Sequence, residues 1–184
     1  MLLHNHTTIN FMPLLKLPLL NLLSKLDKKQ LAWIAGFLDG DGHIGCRIIR
    51  RADYKFGFKL TPELSFTQKN IRGYHLFPAL RQILGNIGSI RIKDKGVACL
   101  EIQGRFDAYA VLAVLYPHLV LKRKQAKYCM DIIVNYEQAL ANPNLFLDFC
   151  RKADRISALN DSRKGARIVT SAVVLKHFKS KRLV

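Results

Sequence analysis

Acidic residues are scarce in this chain. Thirteen Asp and Glu stand against 30 Lys and Arg, a formal net charge of +17 over 184 residues. A globular chain this short of negative charge is expected to meet a polyanion, either nucleic acid or an anionic membrane surface. Cysteine is sparse as well. Cys46, Cys99, Cys129 and Cys150 are widely spaced with no C-x-x-C pair. That spacing excludes a zinc site and a dense disulfide framework, and leaves buried thiols. The six histidines also lack metal-ligand spacing. No apolar run reaches the roughly 18 uninterrupted residues that a membrane span needs. The Leu-rich stretch INFMPLLKLPLLNLL is broken by Pro13, Lys16, Pro18 and Asn21. It lacks a small-residue cleavage site, and residues 1–26 contain no arginine, so neither a secretory signal nor a transit peptide is expected. Residues 1–26 are read as an N-terminal extension, poorly ordered or docked on the surface, and residues 27–184 as a single domain. No internal repeat is present.

What is there begins at Leu31–Gly42, LAWIAGFLDGDG. An apolar helix runs straight into a carboxylate bracketed by glycines. Asp27 is placed as its N-cap, with Gln30 three residues on as the capping-box partner, so the helix is expected over about 27–39. Ala32, Gly36 and Gly40 recur every four residues and share one face. Glycine costs a helix interior roughly 1 kcal/mol relative to alanine, so two in one short helix indicate a packing reason. Small residues on one face let a second helix backbone approach closely. Gly40 and Gly42 are expected to supply unusual backbone angles and room around Asp41.

After Gly42 the period changes from helical to twofold. Ile44, Cys46 and Ile48 alternate with Gly45, Arg47, Ile49 and Arg51 over 43–51. Phe58, Leu60, Leu64 and Phe66, with Pro62 among them, alternate with Lys59, Thr61, Glu63, Ser65 and Thr67. Each reads as a half-buried strand with one polar face. Pro62 cannot donate to a ladder and predicts a bulge or an edge. A helix follows over about 70–84, kinked or restarted at Pro78. A second hairpin comes next, Ile90 to Lys93 and Leu100 to Gln103, turning at Asp94-Lys95-Gly96. Helices are expected over 106–116, 124–140, from Asn142-Pro143 to about 159, and over 170–178. The order α-β-β-α-β-β-α followed by C-terminal helices predicts an α+β fold with one antiparallel sheet.

LAWIAGFLDGDG resembles the motif of the LAGLIDADG homing endonucleases, in the form with a single copy per chain. The resemblance continues over about residues 28–162. Phe66-Thr67-Gln68-Lys69 leading to Arg72, Leu121-Lys122-Arg123-Lys124-Gln125-Ala126, and Ala158-Leu159-Asn160-Asp161-Ser162 all match family segments in order and spacing. It implies an α-β-β-α-β-β-α core whose sheet forms a saddle on DNA. It implies Asp41 as catalytic carboxylate and metal ligand, with the carbonyl of Gly40 as a further ligand. Gln68 would order water, Arg72 would act near the scissile phosphate, and Lys122 would lie near the attacking water. Asp39 is read as supporting the helix end, not as a ligand. Lys124 and Gln125 would shape their segment, with Lys124 also toward DNA. One departure is that Ala98 and Cys99 are less polar than the site periphery of some relatives.

One carboxylate per chain is too little for metal-assisted phosphodiester hydrolysis, so a homodimer is expected, packed through Ala32, Gly36 and Gly40, with two Asp41 holding Mg²⁺ or, in its place, Mn²⁺. The partner is double-stranded DNA, and no membrane or small-molecule substrate is expected. A two-stranded ribbon can enter the major groove, where each base pair shows a distinct edge. Candidates for reading bases are Arg47, Ile49, Arg51, Lys59, Glu63, Ser65, Arg91, Lys93, Glu101 and Gln103. Arg163, Lys164 and Arg167 are candidates for holding phosphates, with Lys55, Lys69 and Lys95. The expected activity is site-specific double-strand cleavage in a long pseudo-palindromic target. Intron-borne members of this subtype point to the chloroplast, with the mitochondrion as alternative. The rivals are a non-cleaving nucleic-acid binder on the same scaffold, an RNA maturase or DNA-binding regulator, and a membrane-surface protein using the Leu-rich N-terminus.

Overall fold

The computed structural model describes residues 17–93, 96–160 and 168–184, with the side chains of 17, 70–74 and 93 left aside. Helix α1 (Leu17–Leu23) precedes the motif helix α2 (Lys28–Asp41). Strands β1 (Gly42–Arg50) and β2 (Phe58–Lys69) form the first hairpin, and α3 (Asn70–Ile83) leads to β3 (Ser89–Lys93) and β4 (Val97–Ile102). Helix α4 (Arg105–Leu115), a single 3-10 turn (Tyr116–His118), and helices α5 (Arg123–Val134), α6 (Tyr136–Ala141), α7 (Pro143–Leu159) and α8 (Ser171–Ser180) complete the described chain. The expected α+β order is present, with one helix in front of it.

The sheet is four-stranded and antiparallel, in the order β1-β2-β4-β3. Alternation decides which face meets the helices. Ile44, Cys46, Ile48, Phe58, Leu60, Leu64, Phe66, Leu100 and Ile102 are all buried on one face, under α2, α4, α5 and α7. Each such side chain contributes about 1.5–3 kcal/mol when fully buried. Phe77, Phe146, Phe149 and Phe178 extend this core into the C-terminal helices. The ladder through Cys46↔Pro62 has no bulge. β4 pairs with β2 only from Leu64 onward, so Pro62 stands where β2 has a neighbour on the β1 side alone. That is the edge its missing N–H requires.

Several expectations need correction. Residues 17–23 are not apart from the core: Leu19 and Leu23 of α1 are buried in it. The boundary expected at residue 27 therefore does not separate them from the domain, because Leu19 and Leu23, one turn apart on the same face of this short helix, find apolar partners; residues 1–16 lie outside the described residues. The helix expected over 124–140 is two helices, broken at Asn135, whose Nδ2 donates to the Asp131 carbonyl (3.0 Å) and carboxylate (2.9 Å). This local bond competes with continuing the helix. Helix α3 runs through Pro78 without a restart. Arg51 lies just past β1, in the turn, and not in the strand. All four cysteines are buried and none is in a disulfide. Burial pushes the thiols of Cys129 and Cys150 well up from their ordinary range.

Candidate functional site

The capping box of α2 is complete: Gln30 N donates to Asp27 Oδ1 (2.8 Å), and Asp27 N donates to Gln30 Oε1 (3.1 Å). A cap of this kind is worth about 1 kcal/mol. At the other end α2 runs through Gly40 to Asp41. Gly42 caps it with an ordinary extended backbone, φ −93°. The expected need for unusual angles is thus not met at Gly40 or Gly42. Gly42 is required by contact: a Cβ there would lie 2.6 Å from both Leu38 Cδ1 and Leu38 O. A Cβ at Gly36 or at Gly40 would meet nothing within 4 Å. The small-residue face of α2, with Ala32, is exposed.

Asp41 is exposed at the helix end, and Gln68 Nε2 donates to its Oδ2 (2.5 Å). Gln68 shares the parity of Leu64 and Phe66, so its side chain leaves the sheet on the helix side, where α2 ends. Asp39, two residues back, faces the other way and is 8 % exposed. Its carboxylate accepts the backbone N–H of Val120 (2.6 Å), Leu121 (3.1 Å) and Lys122 (2.8 Å). The Lys122 ammonium donates in turn to the Asp39 carbonyl. A motif residue read only as support for the helix end therefore fixes the segment that carries Lys122. Burial holds the Lys122 ammonium below the ordinary lysine range, with Asp39 and Asp41 pulling the other way. Gln125 is buried and donates to Leu159 O (3.2 Å), and Asn160 donates to Ile44 O (2.8 Å), which locks this segment to the end of α7 and to β1. Arg72 lies in α3, with its side chain outside the described residues.

The opposite face of the sheet is polar. The register places His43, Ser65, Glu101 and Ser89 in one row across it, and Thr67, Cys99 and Arg91 in the next. Arg47 lies opposite Thr61 and Ile49 opposite Lys59. Arg47 Nε meets Glu63 Oε2 (2.8 Å), and Arg91 Nε meets Glu101 Oε2 (3.2 Å). Gln103 Nε2 also donates to Glu101 Oε2 (3.2 Å). A groove of about 500 Å³ is lined by His43, Arg47, Glu63, Ser65, Glu101 and Gln103. Arg51 is drawn away at the ribbon tip, on Asp53 (2.8 Å) and over the Tyr54 ring. Lys93 is in β3, with its side chain undescribed. Lys124 is exposed on the first turn of α5, off the sheet. Arg163, Lys164 and Arg167 lie outside the described residues. Sequence reasoning passed over His43, although its even, four-residue spacing from Arg47 puts it on this face.

The structure thus brings Asp41, Gln68 and Lys122 to one end of α2 and collects Arg47, Ile49, Lys59, Glu63, Ser65, Arg91 and Glu101 on one sheet face. Among the described residues no group of three or more His, Cys, Asp and Glu is placed to hold a metal. No helix among them is long and apolar enough to cross a membrane.

Known proteins resemble this chain in sequence and fold. The family described as LAGLIDADG endonuclease matches residues 34–133. The chain is 35% identical over 152 residues to DNA endonuclease I-CreI of Chlamydomonas reinhardtii, covering 82% of this chain and 90% of that protein. It is 31% identical over 138 residues to DNA endonuclease I-CvuI of Chlorella vulgaris, covering 75% and 84%. The crystal structure of the homing endonuclease I-CvuI with its target in the presence of Ca superposes with a TM-score of 0.76 at 28% identity, over 85% of this chain and 96% of that one. A complex of I-CvuI with an I-CreI target in the presence of Mg gives 0.77 at 27%, over 85% and 97%. With its single DGDG motif at the end of α2 and its four-stranded antiparallel saddle, the chain belongs to the LAGLIDADG endonuclease family.

Proposed function

We propose that this chain is a site-specific homing endonuclease that works as a homodimer and hydrolyses phosphodiester bonds in both strands of a long, pseudo-palindromic DNA target. The observation that carries the reading is the convergence of Asp41, Gln68 and Lys122 at the end of a helix whose small-residue face is uncovered.

The dimer follows from that face. Ala32, Gly36 and Gly40 are exposed, and no neighbouring element among the described residues requires glycine at 36 or 40. Trp33 is 46 % exposed, and Val120 and Leu121, tied to the end of α2 through Asp39, are 79 % and 73 % exposed. Apolar residues bordering a small-residue helix face suit a second copy of that helix. At this end of α2 one chain offers one exposed carboxylate, Asp41, since Asp39 is buried, and two chains offer a pair.

A pair of Asp41 carboxylates, with the Gly40 carbonyls beside them, is a hard oxygen donor set suited to Mg²⁺, with Mn²⁺ able to replace it. The metal supplies an acidified water and charge neutralisation at the scissile phosphate. The chain's own part is positioning. Gln68 holds the Asp41 carboxylate by one oxygen, leaving the other for a ligand. Asp39 holds Lys122 near the phosphate. Arg72 lies in the first turn of α3, directly after β2.

The polar sheet face then reads bases through Arg47, Ile49, Lys59, Glu63, Ser65, Arg91, Lys93, Glu101 and Gln103, with Arg51 at the ribbon tip. Arg and Lys suit guanine, and Glu accepts from cytosine. Lys124, Arg163, Lys164 and Arg167 hold phosphates, consistent with the charge of +17. The relatives from Chlamydomonas and Chlorella support action inside an organelle, the chloroplast first and the mitochondrion second.

Cleavage of a randomised duplex library with Mg²⁺, sequenced at the cut ends, tests the reading. A recovered site of two mirrored halves is expected. Retention of particular duplexes without metal-dependent cleavage would make the protein a non-cleaving binder instead.

A further inference from the structure

The geometry points to a phosphate-binding notch beside the polar face, formed by Thr61, Arg105, Tyr136 and Glu137 with Lys59 at its rim, that takes one backbone phosphate of bound duplex DNA. The inference rests on the DNA-binding reading above and adds a site to it.

The notch exists because β4 stops short. β4 pairs with β2 no further than Leu64↔Ile102, so Lys59–Glu63 of β2 have no strand on that side. The chain turns there through Gln103 into α4, and α6 begins alongside at Tyr136. The space enclosed is about 260 Å³. Arg105 covers it: the guanidinium lies 4.2 Å from the Tyr136 ring centroid and 2.8 Å from Glu137 Oε1. Lys59 flanks the opening, its ammonium 5.5 Å from the Tyr54 ring centroid.

Two hydroxyls lining this space are buried without a hydrogen-bond partner, Tyr136 OH and Thr61 Oγ1. Tyr136 as a whole is 6 % exposed. Folded proteins leave few such groups unsatisfied, and each calls for an explanation. Burial pushes the Tyr136 phenol up to about 12, so it stays a proton donor throughout the neutral range. The notch therefore gathers donors: two unspent hydroxyls and the Arg105 guanidinium, with the Lys59 ammonium at the rim. Its one acceptor-only group, Glu137, is half-committed to Arg105 at the solvent edge. A tetrahedral anion with several acceptor oxygens matches this set. Arg105 can exchange the exposed Glu137 carboxylate for a phosphate oxygen, which uncovers the Tyr136 hydroxyl. The phosphate source is the duplex, because the notch opens beside Lys59 and Thr61 on the face assigned to DNA.

The test uses the full chain and a duplex carrying its cleavage site, in Ca²⁺. Tyr136→Phe and Thr61→Val should each weaken binding about tenfold, equally for specific and unrelated duplex, since each removes a hydrogen bond to a charged group. Arg105→Gln should reduce the slope of log affinity against log salt by about two, roughly 0.9 for each of the two half-sites. Ethylation of one phosphate in each half-site should penalise the wild type more than Tyr136→Phe. If the variants bind as the wild type does and Tyr136→Phe melts higher, the hydroxyls are packing defects and the notch is not a site. If inorganic phosphate raises the melting temperature of the wild type but not of Tyr136→Phe, and ethylation has no effect, the notch takes free anion and the duplex assignment is overturned. A wild type that binds no duplex at all would remove the DNA-binding reading together with this one.

Discussion

Asp39 and Lys122 hold each other twice. The Asp39 carboxylate accepts the backbone N–H of Lys122 at 2.8 Å, and the Lys122 ammonium donates to the Asp39 carbonyl. Because the same carboxylate also takes the N–H groups of Val120 and Leu121, the end of α2 and the start of α5 behave as one unit. Asp39→Ala leaves three backbone donors without an acceptor. It should cost about 2–4 kcal/mol in a denaturant titration. It should also slow cleavage, although Asp39 is not placed to touch DNA. Unchanged stability would show that water replaces the carboxylate fully.

Asp41→Asn keeps the shape and the contact with Gln68 while removing the charge. Cleavage should nearly vanish in single-turnover measurements with Mg²⁺, while specific binding in Ca²⁺ survives. Lys122→Met should slow cleavage without changing the site recognised. Full cleavage by either variant would assign the chemistry elsewhere.

Lys122 also makes a pH prediction. Burial depresses its pKa below that of an ordinary lysine. The charged form is present below that folded-state pKa and is lost as pH rises through it. If the ammonium serves at the phosphate, cleavage should begin to fall with rising pH before an ordinary lysine would titrate. Lys122→Arg, which stays charged, should lack that fall. The comparison is of single-turnover rates between about pH 7 and 10, in the range below the ordinary lysine value. Parallel profiles for the two proteins would remove Lys122 from the step.

Gly36→Leu separates packing within the chain from packing between chains. No atom lies within 4 Å of a Cβ at this position, so the side chain fits the single chain. Helix propensity should even improve by about 1 kcal/mol. Sedimentation should nevertheless give monomers that cannot cut. A variant that stays dimeric, or a wild type that is monomeric on DNA at micromolar concentration, would discard the α2 interface.

Readout and anchoring should separate on the polar face. Arg47 is braced by Glu63 at 2.8 Å. Arg47→Ala should cost about 1–3 kcal/mol at particular base pairs and relax preference there, twice, mirrored about the centre of the site. Arg167→Ala, which removes one phosphate contact from each protomer, should weaken all sequences alike and shrink the salt slope by about two units. A specificity profile that loosens evenly after Arg47→Ala would exclude this face as the reading surface.

Much of this was written locally. The capping box at Asp27 and Gln30, the polar alternation from Lys59 to Thr67, and Pro143 at the start of α7 each depend on neighbours a few residues away, and so the sequence by itself determined them. The single DGDG motif and its companion segments single out Asp41, Gln68 and Lys122 by resemblance, and the fold brings the three to one end of α2. Other features come from groups far apart in the chain, which periodicity does not address. Asp39 meets Lys122 across 83 positions. Gly42 is glycine because of Leu38 Cδ1 and O, not because of its own dihedral angles. The leucines of α1 read as an interrupted run, yet Leu23 is fully buried because the sheet-and-helix core offers it a place. Local patterns carry which face an element buries; only tertiary structure decides what that face meets, because burial and hydrogen bonding are satisfied between elements whose separation in space the sequence order does not encode.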